Sequence, residues 1–234
     1  LFLQFGFRIA YFYKVRRKQL ASIVLSRLAE VIPVPETELH YQNPFQLLVA
    51  VVLSAQCTDK RVNLVTPALF ERFPDPPSMA SSTEEEIFSY IKSISYPASK
   101  AKHLLGAARI LVDSHGGQVP ESHEKLMELP GVGRKTANVL TSVLHGAPNM
   151  AVDTHVFRVA ARIGLTLKAK TPLAAEKQLV SLFETAEIPA AHHYLILHGR
   201  YTCTARNPKC GSCSLVEHCA YFKKEQKKAF KATK

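Results

Sequence analysis

Four cysteines near the C-terminus, Cys203, Cys210, Cys213 and Cys219, follow a C-x6-C-x2-C-x5-C pattern within seventeen residues. Thiolates that close together can wrap one metal centre. Disulfides are the alternative in an exported protein, but an intracellular chain keeps its thiols reduced. Zinc sites usually draw on two close cysteine pairs, and here only Cys210 and Cys213 are that close; four thiolates also suit an iron–sulfur cluster. Spacing alone leaves zinc and iron–sulfur open. Cys57 stands apart and reads as inert, while Arg206 and Lys209 lie inside the cysteine loop, either meeting phosphates or carrying plain surface charge.

A second chemical feature lies at residues 122–145, SHEKLMELPGVGRKTANVLTSVLH, which read as helix, glycine-rich turn and helix. Gly131 and Gly133 let the backbone approach another molecule and take positive φ. The turn precedes Arg134 at a helix N-terminus, where free N–H groups and the helix dipole attract anions. That combination is a phosphate cradle that reads no base sequence, although a plain helix–helix turn has the same composition. Lys135 falls on the first turn of the second helix. The positive helix end, and partial burial, favour the neutral amine that nucleophilic catalysis needs; a phosphate contact is the other role open to it.

The elements that must position these groups are helices. Leu20, Ile23, Val24, Leu28 and Val31 give residues 16–32 an amphipathic period ending at Pro33-Val34-Pro35. Asn43-Pro44 supplies an N-cap and a proline at the first helical position, and the run Phe45–Leu53, apolar on nearly every side, reads as a buried helix, or a buried strand if periodicity alone is used. Thr83-Glu84-Glu85-Glu86 is a capping box. Pro97–His115 ends at Gly116-Gly117, Thr171-Pro172 opens a helix to about Glu184, and Pro189 opens another to about Arg200. No alternating β segment, hairpin signal or internal repeat appears, so the fold class is all-α.

Lys and Arg number 30 against 19 Asp and Glu, a net charge of +11, which favours polyanionic partners through counterion release. Residues 223–234 carry six Lys and one Glu and read as a solvated, disordered basic tail that adds non-specific affinity. The apolar opening Leu1–Tyr13 is broken by Arg8 and too short to span a bilayer. It also lacks the features of a secretory signal, and residues 1–15 are set apart as an extension.

With LSAQCTDKRVN (53–63), LPGVGRKTA (129–137), VDTHVFRVAARIGL (152–165), LILHGRYTC (195–203) and the cysteine spacing, the chain resembles the endonuclease III family of helix–hairpin–helix DNA glycosylases from about Arg16 to Phe222. The resemblance implies one 4Fe-4S cluster on the four cysteines. It also implies two helical domains flanking a DNA cleft: a six-helix domain over 38–148 carrying the helix–hairpin–helix motif, and an iron–sulfur domain from 16–37 and 149–222. It makes Lys135 the nucleophile at the sugar C1′ and Asp153 the residue that assists proton transfer and stabilises the cationic sugar. Asp153 also suits the N-cap of the following helix, and its charge opposes the helix end in favouring the charged amine of Lys135. Gln56 fills the hole left by the extruded nucleotide, and His155 lies beside DNA or packs in the fold. Where the family usually carries Gly then Leu as a wedge, this chain has Ser95-Tyr96-Pro97; Tyr96 can still stack on bases.

The implied activity is base-excision repair of double-stranded DNA. The chain would act as a glycosylase on oxidised or saturated pyrimidines and as a lyase that cuts 3′ to abasic sites through a lysine Schiff base. The expected protein is a monomer without a membrane partner, cytoplasmic and associated with the nucleoid. Two readings compete. A monofunctional mismatch glycosylase lacks a lysine at position 135 and carries a further C-terminal domain. A non-catalytic iron–sulfur DNA-binding module would bind without turnover, and the Lys135 and Asp153 pair weighs against it.

Overall fold

The computed structural model describes residues 2–232, with side chains described from Val15 to Phe230, and among these there is no strand. The extension set apart above contributes the start of α1 (Phe2–Val31), and its first fourteen side chains lie outside the described residues. No helix is long and apolar enough to cross a membrane among those described. The chain forms two compact units, one from Thr37–Ala147 and one from Leu1–Glu36 with Pro148–Lys234.

The first unit holds α2 (Pro44–Ser54), α3 (Asp59–Arg72), α4 (Pro76–Ala80), α5 (Glu84–Ile91), α6 (Pro97–His115), α7 (His123–Met127) and α8 (Arg134–His145). The six helices expected here appear as seven segments, of which α4 and α7 are five residues long. Phe45–Leu53 is helical and every residue of it is buried, which resolves its periodicity in favour of a core helix. Asn43 caps it by accepting from the Gln46 N–H at 2.9 Å. Thr83 caps α5 by accepting from the Glu86 N–H, but the Glu86 carboxylate does not reach back to complete a capping box. It pairs instead with Arg72 of α3 at 2.7 Å, a cross-helix ion pair that the local sequence could not announce. α6 ends as expected: Gly116 takes φ 58° and the Gly117 N–H donates to the Leu111 carbonyl at 2.8 Å.

The second unit packs α1 with α9 (Thr154–Ile163), α10 (Pro172–Val180), α11 (Ile188–Tyr201) and α12 (Ala220–Ala232). Its core includes Val24, Leu28, Val156, Val159, Leu195 and Leu215. α10 stops at Val180, short of Glu184; a tighter turn follows, the Leu182 N–H donating to the Leu179 carbonyl at 2.9 Å, and Leu182 and Phe183 are both buried beyond it. Where a disordered tail was expected, residues 220–232 are helical. Lys, Ala and Gln are strong helix formers, Lys228 pairs with Glu225 at 2.8 Å, and Tyr221 lies under the Arg162 guanidinium at 4.8 Å. Gly199 lets α11 approach α9 closely, since a Cβ there would lie 2.9 Å from that of His155.

His193 of α11 is buried in this unit. Burial, helped by the nearby Arg200 cation, pushes its pKa down from 6.5 to about 4. Between those values the unfolded chain binds the proton that the folded chain refuses, so stability is fully present above about pH 6.5 and declines toward pH 4. The full shift corresponds to about 3 kcal/mol. His198, also buried, has its pKa pushed down to about 4 as well, so urea titrations across this window should show a falling midpoint that His193→Gln makes shallower without abolishing; an unchanged slope in the variant would reject the His193 contribution.

Candidate functional site

In the first unit, Leu129 to Val132 form a β-turn closed by the Val132 N–H donating to the Leu129 carbonyl at 3.0 Å. Pro130 and Gly131 occupy its centre, and Gly131 takes φ 81°, the type II pattern. Val132 is buried and anchors the turn, and His123 Nε2 lies 2.8 Å from Asn138 Oδ1, joining α7 to α8. The two glycines differ. Gly131 needs its positive φ, and a Cβ there would meet His103 at 3.0 Å. Gly133 has φ −92°, so its backbone suits any residue, yet a Cβ there would point into open space. Gly133 therefore leaves open space at the start of α8. It is the N-cap of α8 and offers no side-chain hydrogen bond to the helix end. Arg134 and Lys135 follow on the first turn, both exposed. The partial burial expected for Lys135 is thus absent, because its position faces away from the buried stripe Ala137, Asn138, Leu140 and Thr141.

Gln56 and Tyr96 occupy neighbouring loops of the same unit, and both are exposed. Each is a non-glycine residue in the left-handed region, with φ 54° and 55°, a conformation costing about 1 kcal/mol per residue. Such strain gathers at functional loops when surrounding contacts enforce it. Ser95 Oγ donates to the Gln56 carbonyl at 2.8 Å. The buried Lys100 ammonium donates to the Leu53 and Ala55 carbonyls at 2.8 and 2.6 Å, closing the C-terminal end of α2. Burial lowers the Lys100 pKa and the nearby Cys57 raises it in part. Lys100 was not singled out from the sequence, although it lies on the face of α6 that carries Leu104, Ala108 and Leu111, a lysine within an apolar stripe.

In the second unit, Asp153 is the N-cap of α9: its Oδ1 accepts from the Val156 N–H at 2.8 Å. That bond fixes the carboxylate at the helix start, and Asp153 is only partly buried. His155 is partly buried and its Nδ1 lies 3.2 Å from Arg158 Nη2, so it packs in the fold while standing at the same helix end. Lys135 belongs to one unit and Asp153 to the other.

The cysteine loop is tied to α9 by two arginines that the sequence reading passed over. Arg158 donates to the Cys203 and Gly199 carbonyls at 3.1 and 2.9 Å. Arg162 donates to the Thr204 and Ala205 carbonyls at 2.7 and 2.8 Å and approaches Cys203 Sγ at 3.5 Å. Their signal was two arginines four residues apart on one helical face, aimed at a site rich in thiolate. Arg206 and Lys209 are exposed on the same loop.

Cys203, Cys210, Cys213 and Cys219 are free and line one pocket with Ile163, His198 and Leu215. Burial raises the thiol pKa of Cys210 and Cys213, and the neighbouring sulfurs raise them further; Arg162 opposes this at Cys210. Such a set becomes fully thiolate only around a positive centre. Among the described residues no three His, Cys, Asp or Glu side chains converge on a single ion. A tetrahedral zinc site would hold its sulfurs roughly 3.8 Å apart. One pocket lined by four free thiols has the donor set of an iron–sulfur cluster.

Residues 49–185 match the family described as HhH-GPD superfamily base excision DNA repair protein, and residues 203–219 match the iron–sulfur binding domain of endonuclease III. Endonuclease III of Rickettsia conorii is 48% identical over 204 residues, covering 87% of this chain and 97% of that protein. The Escherichia coli K12 enzyme is 45% identical over 201 residues, covering 86% and 95%. A solved structure of a trapped endonuclease III–DNA covalent intermediate superposes with a TM-score of 0.85 at 43% identity, covering 89% of this chain and 98% of that one. A thermostable thymine-DNA glycosylase shares the fold, with a TM-score of 0.77 at 23% identity. With a capped carboxylate, an exposed lysine on a helix–hairpin–helix motif and a four-thiol pocket already placed, the chain belongs to the endonuclease III family of base-excision DNA repair proteins.

Proposed function

We propose that the chain removes oxidised or saturated pyrimidines from double-stranded DNA and then cuts the strand 3′ to the resulting abasic site. The observation that carries this reading is Lys135, exposed on the first turn of α8 directly after the open Gly133 N-cap. The helix end holds phosphate there and brings the amine to the sugar beside it. Flipping the damaged nucleotide costs a few kcal/mol, which favours lesions that pair poorly. The Lys135 amine attacks C1′; the glycosidic bond breaks and its electrons leave with the base. Ring opening gives a protonated Schiff base at C1′. Loss of a 2′ proton then expels the 3′ phosphate by β-elimination. Asp153, fixed by the Val156 N–H, stabilises the developing positive charge on the sugar and assists proton transfer.

Gln56 fills the vacated position in the duplex, Tyr96 stacks on the opposite strand, and Gly131, Gly133, Arg134, His155, Arg206 and Lys209 contact the DNA. One 4Fe-4S cluster on the four cysteines orders the loop over 202–219, which Arg158 and Arg162 hold against α9. The protein works as a monomer on chromosomal DNA, inside the cell and at the nucleoid. The competing mismatch and binding-only readings predict different products. Duplexes containing thymine glycol, an abasic site or an A·G mismatch, incubated with the protein, separate all three. Cleavage of the first two and not the third is the expected pattern; adenine release without a nick, or binding without turnover, would reject it.

The open space at Gly133 gives a second test. Gly133→Val should weaken binding roughly tenfold on every duplex, damaged or not, because it blocks phosphate contacts and no base contact. Unchanged affinity, with melting confirming the fold, would reject the phosphate cradle.

A further inference from the structure

We infer that Ser95 and Lys100 are positioning residues that fuse Gln56 and Tyr96 into one two-pronged probe, so that filling the vacated position and stacking on the opposite base occur together. The inference rests on the reading of Gln56 and Tyr96 as the residues that enter the duplex. Four observations of the structure carry it. Gln56 and Tyr96 share the left-handed backbone conformation. The Ser95 hydroxyl bridges the two loops through the Gln56 carbonyl. Lys100, four residues after Tyr96, grips the Leu53 and Ala55 carbonyls immediately before Gln56. Tyr96 is 66% exposed, with Pro97 at the first position of the helix behind it.

Left-handed backbone at a residue other than glycine persists only when its surroundings impose it, and these contacts do so from both sides. Lys100 holds the chain entering Gln56, and Ser95 holds the carbonyl leaving it. The same two residues flank Tyr96 in sequence, so displacement of either prong pulls on the other. Exposure then has a purpose. An aromatic ring kept rigid in solvent stacks on any base without first being ordered, and a prearranged partner adds affinity by reducing the ordering needed on binding. A residue at position 95 without a hydroxyl could not make this bridge.

The test uses the full-length protein with a duplex carrying a tetrahydrofuran abasic analogue opposite 2-aminopurine, whose fluorescence reports stacking. Ser95→Ala should weaken binding to this duplex roughly fivefold, the range of one lost hydrogen bond, and alter the 2-aminopurine signal, while affinity for undamaged DNA stays at the parent value. Ser95→Thr, which keeps the hydroxyl, should restore both. In a Gln56→Ala background the affinity cost of Ser95→Ala should shrink, because the tether then positions one whole prong, Tyr96, and one truncated one. Equal losses on damaged and undamaged DNA, additive effects of the two substitutions, or a parent-like Ser95→Ala alongside a weakened Gln56→Ala would each overturn the tether. Parent-like lesion affinity in Gln56→Ala alone would overturn the reading of Gln56 as well.

Discussion

Asp153→Asn should bind lesion DNA like the parent while turning over about a hundredfold to ten-thousandfold more slowly, the range for losing a group that moves protons and meets charge in the transition state. The geometry makes this comparison clean. One carboxylate oxygen caps α9 through the Val156 N–H at 2.8 Å, and the carboxamide of asparagine accepts the same bond. The helix therefore keeps its start, and the neighbours Val152 and Val156 keep their buried places. What disappears is the negative charge. Single-turnover kinetics on a thymine glycol duplex, with binding measured separately, divides the chemical step from affinity. A variant that loses affinity and keeps the parent rate constant would place Asp153 in DNA attraction and remove it from the chemistry.

The second large effect concerns the thiol pocket. Cys210→Ser should strip the protein of most of its iron and of the visible absorbance of thiolate-bound iron, and residues 202–219 should become sensitive to protease. The loop has few means of holding itself. Its regular structure is limited to two three-residue turns, Cys210–Ser212 and Val216–His218, and Leu215 is the fully buried apolar anchor among its residues. Within this loop the Arg158 and Arg162 side chains donate to the Cys203, Thr204 and Ala205 carbonyls, and Cys219 Sγ lies 3.5 Å from the Arg162 carbonyl. Beyond Ala205 a few hydrogen bonds remain, such as Lys209 N–H to the Thr202 carbonyl at 2.9 Å, and the rest of the order comes from metal binding, which is coupled to folding. The remainder of the protein should keep its helical signal, since the core of Thr37–Ala147 draws on no residue of this loop. Stoichiometric zinc without iron in protein purified anaerobically, or a loop equally protected in the variant, would contradict this.

The parts of the fold and site visible in the sequence are the local ones. The turn at Leu129–Val132, the Asn43 and Asp153 caps and the Gly116 stop each depend on residues within a few positions of one another, where side-chain chemistry and backbone preference agree. The residues that escaped sequence reading act across the fold. Lys100 grips carbonyls about 45 residues away, and Arg162 meets the loop at Thr204 and Ala205. Glu86 gives up its capping box for Arg72 because a cross-helix charge outcompetes a local hydrogen bond at that helix end. Of the two roles expected for both glycines, close approach and positive φ, only Gly131 takes positive φ; Gly133 has an ordinary φ of −92° and open surroundings, which fit close approach alone. The helical tail shows composition misread through charge alone. Lysine repels lysine, but it also favours helix, and Tyr221 anchors the first turn beneath Arg162.

Borohydride trapping on abasic DNA tests the central assignment most directly. Lys135 is exposed on the first turn of α8, with no described ion pair to hold its amine away from a substrate. Reduction of a Schiff base joins the amine nitrogen permanently to C1′, so the parent protein should form a covalent complex that survives denaturing electrophoresis. Lys135→Gln should give none, while retaining its helical signal and its affinity for undamaged duplex to within a few-fold, because one phosphate-range cation in a chain of net charge +11 contributes little to total attraction. If Lys135→Gln is trapped as efficiently as the parent, another amine is the nucleophile and the proposed reaction at this site is wrong.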